Sequence, residues 1–176
     1  MRDNKPGAEG SPSSEREGLL RRCRERCLYL ITDSEKSERR IREKLARSGK
    51  YPEDIIEEAI AFLKEYGYLD DLRYAKRMIQ SYAGKKSLRE IEQKLFQRGI
   101  SREEIRLAEE ELREEEALSE REEEALLLQI RKRCEDPRRL DPREKQKLCA
   151  SLCRKGFSYE RVRAALCAEE IWEPDP

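Results

Sequence analysis

The stretch IEQKLFQRGISREEI, residues 91–105, contains the end of one helix and the beginning of the next. If Gly99 takes the left-handed conformation just past a helix, Ile100 falls where the residue after a Schellman cap packs onto Leu95. Ser101 then caps the following helix and forms a capping box with the glutamate three positions later. The stretch therefore predicts a sharp turn from one helix into another.

Two other segments share this pattern, namely IREKLARSGKYPEDII from residue 41 and LCASLCRKGFSYERV from residue 148. In each of the three, a leucine is followed four positions later by a glycine, and the leucines lie 50 and 57 positions apart. The leucines are Leu45, Leu95 and Leu152, and the glycines are Gly49, Gly99 and Gly156. A further amphipathic helix is expected ahead of each pair, over about residues 16–31, 71–83 and 120–134. The sequence therefore predicts three tandem repeats of three helices each.

The predicted fold class is all-α, with three tandem three-helix repeats in an elongated, curved array. The hydrophobic content of 36% is low for one globular core in a chain of 176 residues, which favours small units in series. The expected domains are a disordered arm over 1–15, repeat 1 over 16–68, repeat 2 over 69–117, repeat 3 over 118–171 and a tail over 172–176. Capping boxes are also expected at Ser87 and Ser119. No apolar run approaches about 18 residues, so we expect a soluble protein.

A second joint is predicted in EYGYLDDLRYA, residues 65–75. A helix should end near Gly67, with Tyr68 placed to pack back on Leu63 and Asp70 capping the next helix. This geometry explains the cluster of aromatic residues without a binding role. A functional site remains the alternative, and the structural interpretation is favoured.

The residue types disfavour an enzyme. There is no histidine, so the commonest general base is absent and no Ser-His or Cys-His nucleophile can form. The six cysteines include no C-x-x-C pair. Cys23 and Cys27 lie four positions apart, as do Cys149 and Cys153, which places each pair on an apolar helix face as small buried hydrophobes. We therefore expect no enzyme, no metal and no cofactor.

Charge is arranged in bands although the net charge is zero. Residues 103–124 hold twelve Glu against three Arg, residues 72–98 hold eight Lys or Arg against two Glu, and residues 130–147 are also basic. The bands are interpreted either as solvated helix faces or as a patterned contact surface. The candidate partner-binding residues are Arg73, Lys76, Arg77, Lys85, Lys86, Arg89, Lys94 and Arg98.

The glycine joint is similar to a helix-turn-helix, so a DNA-binding module is the alternative function. In that case the helix after each joint would enter the major groove. Two of those helices begin PEDIIEEAI and REEIRLAEEEL, which are anionic, whereas phosphate contacts need cations. An extended surface that binds a large protein partner is therefore favoured.

The assembled pattern resembles the RecX family, modulators of the bacterial recombinase RecA. The resemblance is carried by GYLDDLRYA, by KLFQRGIS at the expected distance after it, and by the triple three-helix organisation. The motif positions are Gly67, Tyr68, Leu69, Asp70, Asp71, Tyr74 and Ala75.

The RecX resemblance implies a cytoplasmic, all-helical regulator that acts in DNA recombination, DNA repair and the SOS response. It would bind the RecA filament, and the single-stranded DNA within that filament, and restrain ATP hydrolysis and strand exchange without a catalytic residue or cofactor of its own. Inhibition is the expected effect, with assistance left open, and the oligomeric state is also open.

Overall fold

The computed structural model describes residues 12–114 and 117–168. Over these residues the chain forms nine α-helices, one short 3-10 helix at Pro137–Arg139, and no strand. The helices are α1 (Pro12–Asp33), α2 (Glu38–Ser48), α3 (Glu53–Glu65), α4 (Asp71–Tyr82), α5 (Leu88–Gln97), α6 (Arg102–Glu114), α7 (Ala117–Arg131), α8 (Pro142–Arg154) and α9 (Tyr159–Cys167). Three successive helices form each repeat, which confirms the all-α tandem-repeat fold.

The chain divides into two compact units at the bond between Asp70 and Asp71. Unit 1 holds α1–α3 and unit 2 holds α4–α9. Each repeat has its own cluster of buried apolar side chains, since short amphipathic helices gain most of their stability from packing one face. Typical core residues are Leu45 in repeat 1, Leu95 in repeat 2 and Leu152 in repeat 3, all almost fully buried. The repeated leucines therefore mark the three cores.

The joint at Gly99 has the predicted geometry. Gly99 has a φ of 89°, its N–H donates to the Phe96 carbonyl at 2.9 Å, and the N–H of Ile100 donates to the Leu95 carbonyl at 3.2 Å. The hydroxyl of Ser101 accepts from the N–H of Glu104 at 3.1 Å, and the Glu104 carboxylate accepts from the N–H of Ser101 at 2.9 Å. The Schellman turn and the capping box are both confirmed.

Three local details differ from the sequence analysis in whole or in part. Ser119 does not begin a helix, because α7 already begins at Ala117; the Ser119 hydroxyl instead accepts from Arg161 at 3.3 Å. Tyr68 as a residue is 50% exposed and its N–H donates to the Leu63 carbonyl at 2.8 Å, while the neighbouring Leu69 enters the core of unit 1. The predicted arm over 1–15 overlaps α1, which begins at Pro12; residues 1–11 and the tail over 172–176 lie outside the described residues.

The cysteines differ in their environments. Cys23 and Cys27 are fully buried in the core of unit 1, as predicted, and burial raises the pKa of the Cys27 thiol to about 12. Cys134, Cys149 and Cys153 are half-buried and Cys167 is exposed. The interpretation as buried hydrophobes therefore holds fully only for the first pair.

Candidate interaction surface

The eight basic residues proposed for partner binding lie on α4, on α5, on the turn between them and, for Arg98, at the C-cap of α5. Two of them are neutralised by carboxylates of the same unit, since Lys76 pairs with Glu111 of α6 and Lys86 pairs with Glu90 one turn along α5. A cation already paired with a carboxylate offers less net charge to a partner. Lys76 and Lys86 are therefore weak candidates for long-range attraction.

Two other members of the set have aromatic contacts. The Lys94 ammonium lies 6.0 Å from the centroid of the Tyr82 ring, and the Arg98 guanidinium lies 5.9 Å from that of Tyr74 and donates to its hydroxyl. These contacts join α5 to α4 through cation–π attraction. Lys94 and Arg98 therefore stabilise the packing of helices within repeat 2.

Lys85 and Arg89 differ from these four. Both are exposed, and neither lies within 4.0 Å of a carboxylate among the residues that the structure describes. Arg73 and Arg77 are exposed on α4. Among the eight candidates, Lys85 on the turn before α5 and Arg89 in the first turn of α5 therefore contribute the clearest uncompensated charge.

This end of α5 packs against the glycine joint of repeat 3. A Cβ added at Gly156 would lie 2.7 Å from the Cβ of Arg89 and 2.8 Å from the Oγ of Ser87, closer than atoms tolerate. Ser87 is 1% exposed; its hydroxyl accepts from the N–H of Glu90 at 3.2 Å, capping α5, and donates to the Lys155 carbonyl. Repeats 2 and 3 are therefore in direct backbone-level contact at Gly156.

A buried glutamine completes this junction. Gln129 of α7 is 9% exposed and donates to the Lys85 carbonyl at 3.2 Å. Its side-chain oxygen accepts from the Lys155 ammonium at 2.6 Å, and its backbone carbonyl accepts from Arg133 at 2.6 Å. Gln129 thus links the turn before α5 to the end of α8. We name the contacts of Ser87, Gln129 and Gly156 the repeat 2–3 junction.

An open groove of about 450 Å³ lies beside the repeat 2–3 junction. Its lining residues are Arg89, Gln93, Cys153, Arg154 and Lys155. Neither Arg154 nor Lys155 pairs with a carboxylate in the described part of the chain, and Arg133 nearby has no such partner there either. Among the residues that the structure describes, the groove is therefore lined by cations from two repeats and by no acidic side chain. We call it the basic groove.

The sequence prediction missed the contribution of repeat 3 to this surface. The basic band over 72–98 indicated Arg89, but Arg154 and Lys155 lie outside all three bands. A signal was present, since the third joint reads RKG where the second reads QRG, which places two cations directly before the glycine. Their proximity to Arg89 is a property of packing between repeats, which no spacing within one repeat reveals.

A cluster of glutamates lies elsewhere in unit 2. The Glu109 side chain on α6 is only 13% exposed. Burial, followed by the nearby charge of Glu92, raises the pKa of Glu109 to about 7, with a smaller contribution from Glu122 and an opposing one from Arg113. Glu122 itself pairs with Arg161 of α9 at 2.5 Å. This cluster gives unit 2 a group that titrates near neutral pH.

The motif GYLDDLRYA is explained by its position in the fold. Gly67 is left-handed, with a φ of 68°, and ends repeat 1; Asp71 begins α4. Tyr74 and Ala75 are buried in the core of repeat 2. The boundary between the two units falls inside the motif, and the positions Gly67, Asp71, Tyr74 and Ala75 have these structural roles.

Family models match all three repeats. They are described as the first, second and third three-helix domains of RecX, and they match residues 23–63, 70–108 and 120–166. The chain belongs to the RecX family. The resemblance inferred from the motif and the joints is thereby confirmed.

Curated relatives of the chain are also RecX proteins. The regulatory protein RecX of Clostridium botulinum (strain Eklund 17B / Type B) is 33% identical over 147 residues, which is 81% of this chain and 66% of the relative. The regulatory protein RecX of Vibrio vulnificus (strain CMCP6) is 30% identical over 151 residues, or 84% of this chain and 92% of the relative. The chain thus spans just under two thirds of the clostridial RecX protein.

Solved RecX structures share the fold. The crystal structure of RecX from Lactobacillus salivarius aligns with a TM-score of 0.71 at 20% identity, covering 84% of this chain and 94% of that one. A second crystal structure, of a regulatory protein RecX, gives the same TM-score at 22% identity and covers 93% of this chain and 79% of that one. In the described residues of this RecX-family chain, no helix is long and apolar enough to cross a membrane.

Proposed function

We propose that the chain binds the filament that RecA forms on single-stranded DNA and restrains ATP hydrolysis and strand exchange by that filament. The observation that carries the proposal is the match of three consecutive RecX domains along one chain. Its relatives are named regulatory proteins, which supports regulation without catalysis by the chain itself.

The surface we propose for this contact is the turn before α5 together with the first turn of that helix. Lys85 and Arg89 are exposed and lack a carboxylate partner among the described residues, so their charge is available to acidic subunit surfaces or to phosphates. Electrostatic complementarity of this kind raises the association rate and orients the partner. Lys86 contributes less because it pairs with Glu90.

The helix-turn-helix alternative is disfavoured by two of the three helices that follow the joints, while the third, α9, is mildly basic. The first turn of α3 contains Glu53 and Asp54, and that of α6 contains Glu103 and Glu104. Carboxylates at the N-terminus of a recognition helix would repel the phosphates of duplex DNA. Those helices therefore suit internal packing better than insertion into a major groove.

The test is co-sedimentation of the full chain with RecA filaments on single-stranded DNA, beside naked single-stranded DNA at the same salt. We expect the chain to pellet with filaments to a greater extent than with naked DNA. The double variant Lys85→Glu and Arg89→Glu should pellet less, because both reversals replace uncompensated cations.

A matched control reverses two cations that already have carboxylate partners. Arg106 pairs with Glu103 and Glu110, and Arg139 pairs with Asp136. The variant Arg106→Glu and Arg139→Glu has the same net charge as the test variant and should still pellet. Equal recovery with naked DNA and with filaments would contradict the proposal, and equal loss in both variants would show that net charge alone matters.

A further inference from the structure

We propose that the segment after Ala168, which reads EEIWEPDP over residues 169–176, docks in a groove between α8 and α9 through the Trp172 side chain. The segment lies outside the described residues. The groove measures about 440 Å³ and belongs to repeat 3, and we call it the α8–α9 groove. This docking needs no recombinase and is independent of the proposed function.

The α8–α9 groove has a lining that suits an indole ring. Ala150 and Leu166 contribute aliphatic surface, and the ring of Tyr159, a residue that is 61% exposed, lies in the same lining. The half-buried thiols of Cys149 and Cys153 add small apolar groups. Aromatic rings gain contact energy when they pack on such surfaces and against each other, and tryptophan presents the largest ring. Trp172 is therefore the side chain of the segment that fills the groove best.

Charge complementarity favours this acidic segment as the occupant. Lys145 and Arg163 line the α8–α9 groove, and neither lies within 4.0 Å of a carboxylate in the described part of the chain. No acidic side chain is among the described residues of the lining. The segment has no cation and four carboxylates, which belong to Glu169, Glu170, Glu173 and Asp175. Opposite charges on the two surfaces fix the orientation in which they meet.

Two other grooves of unit 2 match the segment less well. A groove of about 490 Å³ between α5 and α6 contains the exposed ring of Phe96, but Glu92 and Glu109 also line it, and Arg106 there is already paired with glutamates. Its carboxylates would repel those of the segment. The basic groove offers cations and no aromatic ring. Of the three, the α8–α9 groove combines an apolar lining with unpaired cations.

The segment starts beside the groove that it is proposed to fill. α9 ends at Cys167, which lines the groove, and Ala168 has an extended backbone with a ψ of 123°. Trp172 follows four residues later, and four residues of extended chain span up to about 14 Å. The groove follows α8 from Lys145 to Cys153, which is about 12 Å of helix. Trp172 can therefore reach the lining. A group tethered in this way has an effective concentration on the order of millimolar, so weak contacts are sufficient.

The first experiment uses tryptophan fluorescence, because Trp172 is the one tryptophan of the chain. Emission from the full chain should be blue-shifted from that of N-acetyltryptophanamide and should be quenched less by acrylamide than in urea. The test variant Lys145→Glu with Arg163→Glu repels the segment and should lose most of the blue shift. The matched control is Arg143→Glu with Lys147→Glu, which makes the same change in net charge at exposed positions of α8 outside the lining. The control should keep the shift.

The Cys149 thiol gives a second readout. Trp172→Ser keeps the length of the chain and removes the ring that covers the groove. Alkylation of Cys149 by iodoacetamide, followed by peptide mass spectrometry, should therefore become several-fold faster than in the parent. Cys134 is also half-buried but does not line the groove, so its rate of alkylation should not change.

Several results would overturn the docking, provided that circular dichroism and the melting temperature show a folded chain. One is parental emission equal to that of N-acetyltryptophanamide. A blue shift that survives Lys145→Glu with Arg163→Glu would place the ring outside the α8–α9 groove, and so would an unchanged rate for Cys149 in Trp172→Ser. Equal loss of the shift in both double variants would make net charge the cause. A shift that disappears when the chain is diluted to a monomer would assign the groove to the segment of a second copy.

Discussion

The glycine joints of repeats 1 and 3 have the same local conformation and different surroundings. Gly49 has a φ of 63° and Gly156 a φ of 102°, so both occupy the left-handed region where glycine is favoured. A Cβ added at Gly49 would meet nothing within 4 Å, whereas one at Gly156 would collide with Arg89 and Ser87. One glycine only ends a helix, while the other also lets a neighbouring repeat approach. A repeated motif can therefore carry unequal structural roles.

The largest expected effect is the difference between Gly156→Ala and Gly49→Ala in the free energy of unfolding that each loses. Both substitutions strain a left-handed backbone, at about 1 kcal/mol. Only Gly156→Ala also forces a Cβ against the Cβ of Arg89, which cannot move without its helix, so overpacking adds about 1 to 3 kcal/mol. Urea denaturation should show a loss of about 2 to 4 kcal/mol for unit 2 and about 1 kcal/mol for unit 1. Equal losses would mean that the two joints are equivalent after all.

The sequence predicted the helix-ending role that the two glycines share, and it could not predict the contact between repeats that only Gly156 makes. Leu, Gly and the capping serines recur along the chain, so the helices, the joints and the three cores follow from spacing alone. Ser87 was expected as a cap, but its bond to the Lys155 carbonyl joins residues 68 positions apart. No feature of the sequence indicated that Gln129 is buried. A single polar residue in an apolar stripe cannot be told from a solvent-facing one until its neighbours in the fold are known. The basic groove depends on these long-range contacts.

The second prediction removes the buried amide of the junction. Gln129→Ala leaves the Lys85 carbonyl without its side-chain donor and the Lys155 ammonium without its acceptor, and a lost buried hydrogen bond costs about 1 to 3 kcal/mol. Gln97→Ala, at an exposed position of α5, is the control and should change stability by less than about 0.5 kcal/mol. Thermal unfolding compares the two variants. Similar melting temperatures would show that Gln129 does not support the junction.

A third prediction separates helix capping from junction contact. Ser158 caps α9 and is exposed, while Ser87 caps α5 and also binds repeat 3. Loss of a serine cap costs about 1 kcal/mol. Ser158→Ala should therefore lower the free energy of unfolding by about 1 kcal/mol, and Ser87→Ala by up to about 2 kcal/mol. Hydrogen exchange at the first turn of α5 should rise in Ser87→Ala; protection equal to the parent would argue against the capping role.

The smallest effect concerns Glu109, a group of unit 2 that opposes stability. Its folded pKa of about 7 lies above the ordinary value of 4.5, so the folded chain retains a proton that the unfolded chain has released. Stability should therefore fall as pH rises from about 4.5 to about 7 and then level off. Glu109→Gln should reduce this dependence and stabilise the chain at pH 8 by at most about 1 kcal/mol. Identical pH profiles for parent and variant would contradict the assigned pKa.

The central claim is that this RecX-family chain restrains the recombinase filament, and the rate of ATP hydrolysis by RecA on single-stranded DNA tests it most directly. Titration of the folded chain into preformed filaments should lower the rate progressively until it saturates. The variant Lys85→Glu with Arg89→Glu should need a higher concentration for the same effect. An ATPase rate that is unchanged at saturating concentrations of the folded chain would contradict the account.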